Sequence, residues 1–130
     1  MREILFKAKT ISGNWVNGLL ANKDDKWYIS NKAGSPFAYE VRPETLCQFT
    51  GLCDKNGKRI WENDILMAHL DDSYPEDVTY ETVEWGVAGW AAHEVNSTDR
   101  EYFDEFDSEH FEVVGNVFDN PELLQEETDE

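Results

Sequence analysis

The chain has 130 residues and a mass of 15.0 kDa, which suits a single domain and excludes a multidomain enzyme. Apolar residues make up 40% and aromatic residues 13%, enough for a hydrophobic core, so global disorder is excluded despite a mean hydropathy of -0.65. No stretch approaches the roughly 18 apolar residues that cross a membrane, and the first residues lack an apolar signal core. The sequence therefore predicts a cytoplasmic protein.

The net charge of -17 is distributed unevenly along the chain. Residues 1–60 contain ten Lys or Arg and six Asp or Glu, whereas residues 61–130 contain only Arg100 against 22 acidic residues. The negative electrostatic potential of residues 61–130 repels phosphate backbones and attracts basic protein surfaces. Two interpretations stay open: a solubilising acidic face with a frayed tail at 125–130, or an acidic surface that docks on a basic partner.

The first 40 residues have the pattern of a small β-meander. Residues 3–9 alternate between apolar and polar side chains, as in a half-buried strand. The turn residues 12–14 follow, then a second strand that starts at Trp15 and a third at 27–29. Residues 30–40 contain Gly34 and Pro36 in polar surroundings, which predicts a loop.

The central part of the chain carries the clearest turn signals. Pro43 suits the first position of a short helical turn over 43–46. Asn56-Gly57 lies between two apolar segments, which predicts a hairpin with a two-residue type I′ turn. Asn63 tolerates a left-handed backbone, so we expect a tight turn at 62–64 before a strand over 65–69.

The remaining residues complete a mainly β pattern. A loop is expected over 71–81, followed by strands at 82–85 and 90–93 that a glycine-containing turn joins. A short acidic helix is expected over 99–107. A strand over 111–118, with Gly115 at a bulge or a close contact, and a short terminal helix over 120–124 complete the pattern. Together they predict a mainly β fold with small barrel-like antiparallel sheets. We expect one domain over 1–124, made of the meander (1–40) and a barrel-like part (41–124), followed by an acidic tail at 125–130.

No residue pattern points to catalysis, to a metal or to another cofactor. Cys47 and Cys53 are expected to be free thiols, buried or half-buried, because a cytoplasmic chain stays reduced. The three histidines match no zinc-ligand spacing, no nucleophile elbow or phosphate-binding loop is present, and the acidic stretch 104–109 lacks the features of an EF-hand. We therefore expect no catalytic residue, no cofactor and no metal, and not an enzyme.

Two groups of residues are candidates for binding. Lys55, Lys58 and Arg59 are a compact basic group expected at the tip of the hairpin, where a small nucleic-acid contact is conceivable. The acidic stretch is the candidate surface for a basic protein partner, through Asp104, Glu105, Asp107 and Glu109. The five tryptophans could stack nucleobases if they were exposed, but core packing is the favoured interpretation. They are Trp15, Trp27, Trp61, Trp85 and Trp90.

Three stretches resemble the YopX family of small proteins from phages and prophages of Gram-positive bacteria. These are residues 2–9, the central segment 43–66 with its Asp54-Lys55-Asn56-Gly57-Lys58 turn, and the closing segment 113–124. The family's usual Glu-Gly-Asp turn has Asn63 in the glycine position. The resemblance implies a phage-encoded protein that works in the host cytoplasm and self-associates, and it brings no catalytic residues with it.

The expected function is a non-catalytic protein-interaction module with an acidic C-terminal half. One version is mimicry of nucleic acid, in which carboxylates replace phosphates on a basic partner. The alternative is a small nucleic-acid-binding β-barrel module that uses Lys55, Lys58 and Arg59 together with exposed aromatic rings. We expect a host or phage protein and a second copy of the chain as partners, with no membrane and with nucleic acid disfavoured.

Overall fold

A computed structural model describes residues 5–30, 38–69, 78–85, 89–94, 100–102 and 110–124. These residues form eleven strands and two 3₁₀ turns, so the predicted mainly β class is confirmed. The chain divides into two compact units, Met1–Gly51 and Leu52–Glu130. No described helix has the length and apolar character needed to cross a membrane.

The first unit is an antiparallel sheet with strand order β4-β3-β2-β1-β5. Its strands are β1 (Phe6–Lys9), β2 (Trp15–Lys23), β3 (Lys26–Ser30), β4 (Tyr39–Val41) and β5 (Cys47–Cys53), which crosses into the second unit. Alternation in β1 points Phe6 and Ala8 to the core, where Ala8, Ile29 and Val41 are almost completely buried. The predicted strand at 3–9 and the hairpin to β2 are thus confirmed within the described residues.

β4 was missed by the sequence analysis, which predicts a loop over 30–40. This three-residue strand pairs with β3, and a single bridge joins Val41 to Thr10 beyond the end of β1. Its local sequence is too short for a recognisable alternation, so only the pairing defines it. The helical turn predicted after it is confirmed as a 3₁₀ turn, Pro43–Thr45, where Thr45 Oγ1 accepts a hydrogen bond from the Lys9 amide at 2.9 Å.

The second unit contains the β5–β6 hairpin and a five-stranded antiparallel sheet. The sheet has the order β10-β9-β8-β7-β11. The strands are β6 (Arg59–Trp61), β7 (Asp64–His69), β8 (Val78–Trp85), β9 (Trp90–Glu94), β10 (Arg100–Tyr102) and β11 (Glu112–Asn116). Ile60, Leu66, Val83, Trp90, Ala92 and Val113 form its core.

Two predicted elements near the acidic segment are wrong. The loop predicted over 71–81 ends earlier, because β8 already begins at Val78. The helix predicted over 99–107 is replaced at Arg100–Tyr102 by β10, which pairs with β9; residues 103–107 lie outside the described part. The helix prediction depended on one capping-box spacing in the sequence, which is a weak local preference. Pairing of Arg100–Tyr102 with the edge strand β9 outweighs that preference.

The barrel-like shape and the C-terminal helix are not confirmed. Both strand orders are those of open sheets. Within the described residues after β11, Pro121–Leu124 form a 3₁₀ turn, with Pro121 at its first position. No described helix reaches seven residues. The predicted acidic tail at 125–130 lies outside the described residues.

Candidate interaction site

The turn between β5 and β6 is organised by one buried carboxylate. Asp54 is only 5% exposed. Its Oδ1 accepts hydrogen bonds from the amides of Asn56 and Lys58, each at 2.9 Å, and its Oδ2 accepts one from the amide of Val113 in β11, also at 2.9 Å. One side chain therefore closes the turn and attaches it to a strand 59 positions away in sequence.

The predicted hairpin is confirmed, but its turn type is wrong. Gly57 has a positive φ of 79°, whereas Asn56 is not among the residues with positive φ. The amide of Asp54 donates to the Lys58 carbonyl at 2.8 Å, which leaves a three-residue loop with a left-handed glycine at its end. A two-residue turn with two left-handed positions occurs instead at Asp24 and Asp25, between β2 and β3.

The turn at 62–64 has the left-handed residue that the sequence predicts. Asn63 has a φ of 69°. Its amide donates to the Val83 carbonyl at 2.8 Å, and its carbonyl accepts from the Val117 amide at 3.0 Å. The neighbouring Asp64 is 2% exposed, and its Oδ2 accepts from the Trp61 amide at 2.8 Å. Both buried carboxylates of this central segment thus hold backbone groups in place.

Asn63 offers a direct test of the strain in this turn. We expect Asn63→Gly to be more stable than Asn63→Ala by about 1 kcal/mol, because both lose the side chain and only alanine has a Cβ that opposes a positive φ. Urea denaturation followed by tryptophan fluorescence measures the difference. If Asn63→Ala were instead the more stable variant, as expected at an unstrained position where glycine loses more chain entropy on folding, strain at this turn would be contradicted.

The predicted basic group lies where the sequence placed it. Lys55, Lys58 and Arg59 are all exposed at the β5–β6 turn. Lys55 Nζ lies 4.0 Å from a Glu112 carboxylate oxygen in β11, and its amide donates to the Phe111 carbonyl at 3.0 Å. A role of this group in binding nucleic acid stays a prediction.

Other predicted site features have mixed outcomes. Asp104, Glu105, Asp107 and Glu109 lie outside the described residues, so their role as a partner-binding surface stays a prediction. Cys47 and Cys53 are free thiols; Cys47 is buried as predicted, whereas Cys53, the last residue of β5, is exposed. Among the described side chains, no group of three His, Cys, Asp or Glu converges as a metal site.

The tryptophans divide between the interior and the surface. Trp61 and Trp90 are buried, and Trp15 and Trp27 are half-buried. Lys7 and Lys9 place their ammonium groups 4.9 and 5.5 Å from the ring centroid of Trp15. Trp85 contradicts the core prediction, since 58% of it is exposed. It is the last residue of β8.

Trp85 and Trp90 face each other across the β8–β9 hairpin. The strand register pairs them directly, and their rings meet edge to face with centroids 4.8 Å apart and an interplanar angle of 71°. Trp90 is 5% exposed, and its indole Nε1 has no hydrogen-bond acceptor within the described residues. The pair thus combines a rigid buried ring with an exposed one. The sequence analysis did not predict this difference in exposure, because the two tryptophans occupy equivalent positions on neighbouring strands.

The two units differ strongly in their content of charged residues. Residues 1–51 contain seven Lys or Arg and five Asp or Glu. Residues 52–130 contain four Lys or Arg and 23 Asp or Glu. Ten of those 23 acidic residues are described, and three of them, Asp54, Asp64 and Glu81, are buried in the fold. The second unit cannot neutralise its own charge with its own cations.

Comparisons with known proteins support the resemblance seen in the sequence. A solved structure described as the crystal structure of protein EF1440 from Enterococcus faecalis is similar over 96% of this chain and 100% of that chain, with a TM-score of 0.63 and 20% identity. At this identity the likeness establishes a shared fold. No curated protein sequence matches the chain. The family model described as YopX protein matches residues 7–125, nearly the whole chain, and the protein therefore belongs to the YopX family.

Proposed function

We propose that this protein is a non-catalytic interaction module whose second unit, residues 52–130, binds a basic partner protein. The observation that carries the proposal is the acidic excess of the second unit, which has 23 Asp or Glu against four Lys or Arg, whereas the first unit has five against seven. An acidic excess confined to one compact unit creates a one-signed field around that unit, and such a field steers oppositely charged partners toward it.

In the central segment 43–66, which carries the family resemblance, the two buried acidic residues have a structural role. Asp54 uses both carboxylate oxygens on three backbone amides, and Asp64 binds the Trp61 amide. A general acid or base needs a side chain that reaches a substrate. These two carboxylates are instead buried and bonded to the backbone, which favours an interaction surface over an active site at the central motif.

The alternative, a nucleic-acid-binding module, gains no specific support from the described residues. Three exposed cations at one turn would have to attract phosphates on a unit with 23 acidic residues. One of the three, Lys55, lies within ion-pair distance of Glu112. Since opposed charges on the same unit reduce the local potential, a phosphate backbone would gain little there.

Salt-dependent binding of a basic protein tests the proposal. Fluorescein-labelled protamine, an arginine-rich protein, is expected to bind this chain at 25 mM NaCl and to lose affinity at least tenfold by 300 mM, because salt screens charges beyond a few ångströms. Fluorescence anisotropy gives the Kd at each salt concentration. Absence of binding at 25 mM NaCl would contradict the proposal.

The nucleic-acid-mimic version makes a narrower prediction. We propose that the protein acts in the cytoplasm of a bacterium that carries a phage or prophage, where a DNA-binding protein offers a basic groove. Added to a preformed complex of protamine with labelled duplex DNA, a mimic is expected to release the DNA. Binding to protamine without release of DNA would contradict the mimicry proposal, while the proposal of an acidic interaction module would stand.

Self-association is a separate proposal about a second copy as partner. Its support is the exposure of Ile11 and Tyr39 in the first unit, 55% and 47% respectively, since exposed apolar side chains are common at interfaces. Sedimentation velocity over a hundredfold concentration range is expected to show a dimer or larger species. A constant monomer would contradict it.

A further inference from the structure

The most exposed large aromatic side chain described in the second unit is Trp85. Its ring is 58% exposed, yet it is not loose, because its edge-to-face contact with the buried Trp90 fixes its position on the hairpin. A held, exposed indole loses little conformational entropy when a partner binds. Tryptophan is also among the residues that contribute most at protein interfaces.

The charges that the hairpin itself presents are of one sign. Glu94 is exposed, Glu84 is half-buried and Glu81 is buried, and the hairpin contains no lysine or arginine. In the whole sequence no lysine or arginine stands between Arg59 and Arg100. A positively charged partner is therefore attracted to this hairpin, while a phosphate backbone is repelled from it.

The chemistry of an exposed indole in an acidic surrounding selects one kind of group. Tryptophan is the best side chain for binding a cation over its ring face. A guanidinium stacks on such a face through its planar shape, whereas an ammonium acts as a compact and strongly hydrated point charge. An arginine therefore fits this position better than a lysine of equal charge.

Trp90 supports the exposed ring from the interior. It is 5% exposed and its Nε1 group is buried, so a partner on the surface does not reach it. Its contribution is to hold the ring of Trp85 in place through their edge-to-face contact.

We propose that Trp85 is the docking position for an arginine side chain of the basic partner, with its guanidinium stacked on the exposed indole. This inference rests on the proposed function, because it assigns a specific contact within the acidic unit. It makes the protein a reader of arginine in particular, beyond a general attraction for positive charge.

The test compares hexa-arginine with hexa-lysine, two peptides of equal charge. Labelled peptides are titrated with the full-length protein at 25 mM NaCl, and anisotropy gives both Kd values. The wild type is expected to bind hexa-arginine about three- to tenfold more tightly. Trp85→Ala is expected to bind both peptides equally, and Trp85→Phe to keep part of the preference.

Tyr102→Ala provides the matched control, since Tyr102 is an aromatic residue of the same unit, 47% exposed, and lies on β10. It is expected to keep the full preference for arginine, and circular dichroism verifies that each variant is folded. If Trp85→Ala still preferred hexa-arginine, or if the wild type showed no preference, the inference would be overturned. In either case, binding of the peptides themselves would leave the proposed function standing. Failure of both peptides to bind would overturn both.

Discussion

Asp54→Ala is expected to lower the free energy of unfolding by about 3 kcal/mol or more. The substitution removes the acceptor from three backbone amides at once, and hydrogen bonds to charged groups contribute roughly 1.5 to 3 kcal/mol each when the donor cannot turn to water. The amide of Val113 is the costly one, because Val113 is 9% exposed, whereas Asn56 and Lys58 lie on an exposed turn. Urea denaturation of the wild type and the variant measures the effect.

Two further variants identify the cause of that loss. Asp54→Asn keeps one acceptor oxygen but places an NH₂ group near an amide, so its stability is expected to fall between those of the wild type and Asp54→Ala. Glu94→Gln removes a carboxylate that is exposed on β9, and it is expected to change the stability by less than about 0.5 kcal/mol. If Asp54→Ala cost no more than Glu94→Gln, the described hydrogen bonds would not hold the turn.

Gly115→Ala is expected to destabilise the protein by about 2 kcal/mol. Gly115 lies where β11 shifts register against β7, as the sequence predicts, and a Cβ at this position would collide with the side chain of Asn120. Overpacking of a close contact costs roughly 1 to 3 kcal/mol when neighbours must move. Here the neighbour is itself bonded, since Asn120 Oδ1 accepts from the Asn116 amide at 3.2 Å.

A double-mutant cycle separates the collision from other effects of the methyl group. Asn120→Ala alone is expected to cost about 1 kcal/mol through the lost hydrogen bond. The double variant Gly115→Ala/Asn120→Ala is expected to be more stable than Gly115→Ala alone, because its shortened side chain relieves the collision. If the stability losses of the two single variants were additive, a collision with Asn120 would not be the cause of the destabilisation by Gly115→Ala.

Turns and apolar alternation were predictable from the sequence because both depend on neighbours along the chain. Pro43, Asn63 and Gly115 each have a local chemical reason for their position: a fixed φ, tolerance of a left-handed backbone, and the absence of a Cβ. β4 and β10 were not predictable, since each has only three residues and owes its conformation to pairing with another strand. The type of the turn at Asn56 depended on the hydrogen bonds of Asp54, which the dipeptide does not reveal.

The candidate site was less predictable than the fold. The exposed basic group at the hairpin tip followed from the turn prediction, and the excess of acidic charge could be counted. The exposure of Trp85 could not be predicted, because Trp85 ends β8 and the buried Trp90 begins β9 directly opposite it. Only their relation to the core beneath the sheet distinguishes them, and that relation involves residues distant in sequence.

We propose that this protein recognises positive charge and does not recognise phosphates. The most direct measurement is anisotropy, under identical conditions at 50 mM NaCl, with two probes: labelled protamine and a labelled 20-nucleotide DNA, in single-stranded and duplex form. We expect protamine to bind and neither form of the DNA to bind. Binding of DNA that is lost on replacing Lys55, Lys58 and Arg59 by alanine, without binding of protamine, would contradict the proposal.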